Sequence, residues 1–517
     1  MYTAKILWVD DEIELLKPHI LFLENRGYEI ETCNNGYDAI EAIKTTIYDL
    51  TIIDEMMPGM TGLETLQIIN EIRPLMPVIM VTKSEEENIM DRAVGSKIAD
   101  YIIKPVNPNQ VLLSIKKNIH NRQLISEIST VDYRQEFGKI SQSLGSARTF
   151  DDWVNIYRKI VKWQLQLADL QDSGVKEILT YQKKEANNEF VKFIRNNYTT
   201  WFDDKNKNRP VMSQNLLRNK VFPIVDRHKT TFLLIDNLRY DQWRVLSHFL
   251  TEFYDIESED FYCSILPTAT QYARNSIFAG LMPAAIDKIM PNSWLNDNEE
   301  GGKNQYEEDF LKRQLQSLGK NYKLSFNKLI RSEHTKRMMD NIDAVYNADF
   351  SVIVYNFLDI LSHARTDMEI IRELADDEAA FLSLTKSWFE HSDLLDILKM
   401  LAANGNRVII TSDHGTIRVD NPVKVIGDKE TSQNLRYKTG KNLTYNAKEV
   451  YEVTKPETIH LPKSNLSSTY IFAYNQDFLV YPNNYNHFVR YYKSTFQHGG
   501  ISMEEMIVPF IVLKPKK

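Results

Sequence analysis

The chain has 517 residues, 43% of them hydrophobic and 26% charged, and carries a net charge of −8. That length calls for two to four domains, and the acidic balance excludes a protein held to nucleic acid by overall charge while permitting a local basic groove. Two cysteines, Cys33 and Cys263, exclude a disulfide framework or a thiolate zinc site. No run approaches about 18 uninterrupted apolar residues, so no membrane insertion is expected and the cytoplasm is the expected location.

In the first 120 residues KILWV, YEIET, LTIID, PVIMVT and DYIIK read as strands, separated by helical patterns such as GYDAIEAIKTT. This βα alternation predicts a doubly wound parallel sheet with its site beyond the carboxyl ends of the strands. Polar residues collect there: Asp10 and Asp11 after the first strand, Asp54 at the third, Thr82 at the fourth, Lys104 at the fifth. Three carboxylates in one pocket need a cation, and oxygen-only ligands favour Mg²⁺. Asp54 is placed to attack a phosphoryl donor, Thr82 to bond the new oxygens, and Lys104 to balance their charge.

Between Pro108 and Pro210 there is no proline, and glycine occurs only at 138, 145 and 174. Residues 121–220 therefore read as a helical bundle. Trp153, Tyr157 and Ile160 share one face, which reads as core. The bundle is either a lever carrying the state of the first domain or a packed spacer.

From 221 to 517 the α/β alternation resumes. TTFLLID, FSVIVYN and RVIITSD are strand-like, each with an acidic or polar end. Asp236 ends the first. Asp359 and His363, four apart, share a helical face after the second, and Asp413 with His414 follows the third. His498 stands beside two glycines that let the backbone approach closely. Imidazole and carboxylate without thiolate suit catalytic zinc, with manganese open, and six such groups imply two ions. A hydroxyl next to such ions is acidified, which makes Thr270 in LPTATQYARNS a candidate nucleophile. Arg274, one turn on, either binds a phosphoryl oxygen or packs its helix. Residues 431–448 carry Arg436, Lys438, Lys441 and Lys448 interleaved with Tyr437 and Tyr445 and no acid, which predicts either a nucleotide-tracking ribbon or a solvated hairpin.

WVDDE, IIDEMMPGMTG, VTKS and YIIKPV resemble the receiver domains of two-component response regulators. The resemblance implies a flavodoxin-like (βα)5 fold, Asp54 as phosphoacceptor, Asp11 and Asp54 on Mg²⁺, and Tyr101 coupled to Thr82. It further implies a cognate sensor histidine kinase and a homodimer on phosphorylation. LLIDN, PTAT, YNFLDILSHARTD, TSDHG and FQHGG resemble the PglZ branch of the alkaline phosphatase superfamily, which implies an α/β/α domain hydrolysing phosphoric esters at two metals. By that resemblance Asp359, His363 and His498 hold one zinc, Asp236, Asp413 and His414 hold the other, and Thr270 rather than Thr268 is the nucleophile. A receiver joined by helices to a PglZ domain is similar to the PorX-type response regulators. That likeness implies a phosphodiesterase acting on cyclic and linear oligonucleotides and linked to type IX secretion. A signalling scaffold that docks transcription or secretion components stays open as the rival, and so does a phosphomonoesterase.

Overall fold

The computed structural model describes all residues except 1–3, 74–75, 83–97, 169–172, 204, 298, 300, 368–376, 428–430, 464–466 and 517. The chain divides into two compact units, Met1–Arg134 and Gln135–Lys517, and the division falls within one helix, Pro108–Ser146.

The first unit is built on five parallel strands: β1 (Lys5–Val9), β2 (Glu29–Cys33), β3 (Leu50–Asp54), β4 (Val78–Thr82) and β5 (Asp100–Ile103), in the order β2-β1-β3-β4-β5. That order is the flavodoxin-like one, with its switch point between β1 and β3. β1, β3 and β4 are covered on both faces, which explains their nearly continuous apolar sequence. Ile6 and Trp8 face one core with Ile52, Ile79 and Val81, while Leu7 and Val9 face the other with Ile43, Ile53 and Leu66. After β3 the chain turns into the helix Gly62–Ile72. Its start is held by a capping box in which Thr61 and Glu64 satisfy each other's backbone N–H groups, a device worth about 1 kcal/mol. Only glycine fits at position 62, because a Cβ there would stand 2.3 Å from the Asp54 carbonyl oxygen. The turn is thereby pressed against the acidic end of β3.

In the second unit the helices Phe150–Leu167 and Ser173–Asn197 come first. The stripe read from the sequence is core: Trp153, Tyr157 and Ile160 are all buried, and Trp153 meets Phe190 edge-on at 5.4 Å. These helices are also bonded to the α/β body that follows. Asn187 Nδ2 donates to Glu504 Oε2 at 3.0 Å, and Lys183 pairs with Glu504 at 3.1 Å and Glu378 at 2.9 Å.

The body contains a six-stranded sheet. Its strands are β6 (Thr230–Ile235), β7 (Tyr254–Cys263), β8 (Leu324–Leu329), β9 (Phe350–Tyr355), β10 (Arg407–Thr411) and a C-terminal strand, Ile507–Pro515, which lies between β7 and β10. The run β10-β6-β9-β8 is parallel, and the C-terminal strand is antiparallel to both of its neighbours. The three strand-like segments singled out by their polar ends are thus β6, β9 and β10, side by side in the centre. Their carboxyl ends open on one edge. Among the described residues no helix is long and apolar enough to cross a membrane.

Candidate active site and receiver pocket

At the carboxyl edge of the first sheet, Asp10, Asp11 and Asp54 each offer a carboxylate oxygen within 4.8 Å of the others. Asp10 and Asp54 are buried and Asp11 is exposed. Lys104 Nζ reaches Asp10 at 3.1 Å and Asp54 at 3.0 Å, so one ammonium pairs with two of the three carboxylates. Burial raises the Asp54 carboxyl above its ordinary value; Lys104 opposes the rise, and Asp10 and Asp11 add to it. The all-oxygen donor set and its excess negative charge fit a hard dication such as Mg²⁺. Thr82 Oγ1 donates to Glu55, a residue the sequence reading passed over although it follows Asp54 directly. Tyr101 is half-buried, and burial pushes its phenol up.

The edge of the second sheet gathers a different set. Asp236 follows β6, Asn356 and Asp359 follow β9, and Asp413 and His414 follow β10, so three adjacent strands deliver their polar ends to one place. Asp236, Asp413 and His414 are buried, with ligand atoms within 4.8 Å of one another. His498 lies against them: its ring stacks on His414 with centroids 4.3 Å apart, and its Nε2 is 3.7 Å from Asp359 Oδ1. Gly500 permits this close path, since a Cβ there would meet the Ala473 carbonyl oxygen at 2.3 Å. His363 stands on the helix Phe357–Asp367, and its side chain lies outside the described residues.

Both imidazoles are held in one tautomer. His414 Nδ1 faces the Gly415 carbonyl at 3.1 Å and His498 Nδ1 faces the Thr268 carbonyl at 3.2 Å. A carbonyl only accepts, so each Nδ1 carries a proton and each Nε2 is the nitrogen turned toward the carboxylates, the orientation in which histidine binds a metal. The carboxylates are shifted in opposite directions. Burial pushes Asp236 well up against the opposing pull of Arg274. In Asp413 the Arg274 guanidinium overrides the burial and holds the carboxyl below the usual range. Three carboxylates and two imidazoles beside one arginine leave negative charge for a cation to neutralise, so the donor set fits a metal ion.

The two threonines of the PTAT turn differ. Thr268 is fully buried; its hydroxyl donates to the Gly500 carbonyl at 2.9 Å and accepts from the Gly499 N–H at 3.0 Å. Thr270 is only half-buried, and its Oγ1 lies 3.1 Å from His414 Nε2 and 3.5 Å from Asp236 Oδ1. It opens the helix Thr270–Ala279, whose first turn has no side-chain cap, so backbone N–H groups stand beside the hydroxyl. That is an anion-favouring position.

Three basic residues for which the sequence left a substrate contact open are placed otherwise. Arg274 is fully buried among carboxylates, which leaves it no surface for a phosphoryl oxygen. Arg436 is fully buried as well: Nη2 and Nε donate to Glu505 at 2.6 and 3.2 Å, and Nη1 donates to the Asp477 carbonyl. Lys438 lies on the strand Tyr437–Gly440, 1% exposed, with Nζ on the Ser432 carbonyl at 3.1 Å and 4.3 Å from the Tyr481 ring centre. Lys441 is half-buried just beyond that strand. The basic residues at 436 and 438 are therefore structural, not an open ribbon.

Burial lowers the Lys438 ammonium to about 7 from an ordinary 10.5. Between those values the unfolded chain holds the extra proton, so stability rises as pH climbs through this window. Lys438→Met is expected to remove that rise and to stabilise the protein at pH 7 by about 1–3 kcal/mol, read from urea denaturation at pH 7 and 9.

Sequence reasoning missed Asn356 and Glu307. Asn356 Nδ2 donates to Asp236 Oδ2 at 2.9 Å, and Glu307 lies 3.5 Å from Arg274. The place of Asn356 at the end of β9 was a usable signal; Glu307, one of several acids opening a helix, offered none.

Three family models match along the chain in order. Residues 6–116 match the response regulator receiver domain, 123–202 the PorX response regulator linker domain, and 216–513 the BREX system PglZ alkaline phosphatase-like domain. Among curated proteins the chain is similar to a transcriptional regulatory protein CpxR homolog of Haemophilus influenzae, 34% identical over 135 residues, which cover 24% of this chain and 58% of that protein. It is also similar to the transcriptional regulatory protein ResD of Bacillus subtilis, 38% identical over 113 residues, 22% of this chain and 47% of that one. The chain thus spans about half the length of these relatives. Among solved structures, a CheY-like receiver domain protein from Methanospirillum hungatei aligns over 24% of this chain and 98% of its own, with 30% identity and a TM-score of 0.23.

Proposed function

The chain belongs to the PglZ family, with an alkaline phosphatase-like domain behind a response-regulator receiver and a PorX-type linker, and on that premise we propose that it is a phosphorylation-switched, two-zinc phosphodiesterase. The observation that carries the reading is Thr270. Its hydroxyl is half-buried at a helix N-terminus, 3.1 Å from His414 Nε2 and beside a buried carboxylate. Asp236, Asp413 and His414 would hold one zinc, and Asp359, His363 and His498 the other. Bound there, the ions supply Lewis acidity to the hydroxyl and to the phosphoryl oxygens. Thr270 Oγ1 gives up its proton and attacks phosphorus, and the bond to one alcohol breaks as that alcohol takes up a proton. Water then cleaves the threonyl phosphodiester to release the monoester and restore the hydroxyl. The first-turn N–H groups of the Thr270–Ala279 helix receive the phosphoryl oxygens, and the tautomers set by Thr268 and Gly415 keep both Nε2 atoms turned inward.

The substrate class we assign is cyclic and linear oligonucleotides, and the cellular output is control of type IX secretion from the cytoplasm. The receiver would hold Mg²⁺ on Asp10, Asp11 and Asp54 and take a phosphoryl group from a sensor histidine kinase onto Asp54. Thr82, Lys104 and Tyr101 would respond to the new charge, and a homodimer would follow. The test is hydrolysis of a chromogenic diester and the matching monoester by zinc-loaded protein. Faster diester turnover is expected. Faster monoester turnover would make the protein a phosphomonoesterase, and none at all, with the receiver phosphorylated or not, would leave a scaffold. Asp54→Asn is expected to abolish any mass increase on gel filtration with a phosphoryl mimic; a dimer that persists in the variant would sever assembly from phosphorylation.

A further inference from the structure

Arg274 lies one helical turn after Thr270, where a phosphate-binding arginine would be useful, but its surroundings forbid that role. It has no exposed surface. Its Nε donates to Asp413 Oδ2 at 3.0 Å, Nη2 pairs with Asp236 Oδ2, and Nη1 is 3.5 Å from Glu307 Oε1. Glu307 is itself buried and is held from its other side by Lys328 Nζ at 2.9 Å. The guanidinium therefore sits between two proposed zinc ligands in front and an anchored carboxylate behind.

The two oxygens of Asp236 are distinguished by this arrangement. Oδ2 takes Arg274 and the Asn356 amide at 2.9 Å, whereas Oδ1 is the oxygen toward Thr270 at 3.5 Å and His414 Nε2 at 3.9 Å. Without a donor between them, the buried carboxylates of Asp236 and Asp413 would repel and turn apart. A planar fork holds both in register, which a point charge on a flexible stem does not.

We propose that Arg274 is a positioning residue of the metal centre, clamping Asp236 and Asp413 so that Asp236 Oδ1 faces the zinc site, with Glu307 and Lys328 anchoring the clamp. This rests on the zinc reading of that site. Groups that orient metal ligands typically control affinity by about 10–100-fold.

The test measures zinc affinity by chelator competition on the full chain, with KM and kcat for a chromogenic diester at saturating zinc. Arg274→Lys keeps the charge and removes the fork. It is expected to weaken zinc binding by about 10–100-fold with KM unchanged once zinc is saturating. Glu307→Gln leaves the arginine in place and loosens its anchor, so a smaller loss in the same direction is expected even where the lysine variant fails to fold. Wild-type zinc affinity in Glu307→Gln and in a folded Arg274→Lys would overturn the clamp. So would a raised KM with affinity intact, which would return Arg274 to substrate. Zinc that fails to bind the wild type at all would overturn the underlying site assignment as well, and that arm is read before any variant.

Discussion

Thr270→Val is expected to lower diester turnover by at least about 10³-fold while both zinc ions remain bound. Valine keeps the β-branched shape and the helix start, and removes only the oxygen 3.1 Å from His414 Nε2. The lost group is the proposed nucleophile, so kcat is expected to fall with KM little changed. Zinc content measured beside turnover separates loss of the nucleophile from loss of the site. Turnover within tenfold of wild type would remove Thr270 from the reaction and point to direct attack by water. Thr268→Val is the companion. Its hydroxyl links Gly499 N–H to the Gly500 carbonyl, so its loss should act through the position of His498 and show as weaker zinc binding.

Glu505→Ala is expected to cost about 3–5 kcal/mol of stability, the usual cost of stripping one partner from a buried ion pair. Glu505 is fully buried. Its carboxylate accepts from Arg436, from the Ser502 hydroxyl at 2.7 Å and from the Gly500 N–H at 2.8 Å. Alanine would leave a guanidinium in the interior with two backbone carbonyls for company. It would also release Gly500, two residues from His498, so zinc affinity should drop along with the denaturation midpoint. Pairing it with Arg436→Met should recover part of the stability, because the orphaned charge goes too. A loss below about 1 kcal/mol in the single variant would mean that water reaches and satisfies Arg436.

Particular residues show what was readable. Asp10 and Asp54 in the first sheet, and Asp236 and Asp413 in the second, stand at or just beyond the ends of apolar strand runs, and each parallel run sends such ends to its own carboxyl edge. Their gathering was therefore a consequence of local pattern plus strand direction. The aromatic stripe of Trp153, Tyr157 and Ile160 was equally plain as core, since a helix with one apolar face has to bury it.

The charged residues went the other way. Arg436 and Lys438 look like a basic ribbon along the chain, yet Glu505, far along the chain from Arg436, takes the guanidinium, and the Tyr481 ring lies under the ammonium. Along the chain Arg274 was open between a phosphoryl contact and helix packing, and Asp236, Asp413 and Glu307 close around it. Sequence alone determined the order of the five strands of the first sheet and of β6, β9 and β10, the polar residues at their ends and the chemical types available, because these follow from short-range periodicity. Tertiary structure alone decided which hydroxyl is open, which imidazole nitrogen carries its proton and which cation is already neutralised. Apart from the His414 proton, which the adjacent Gly415 carbonyl sets, these depend on a partner a few ångströms away in space and tens to hundreds of residues away along the chain, and a buried charge is defined by that partner.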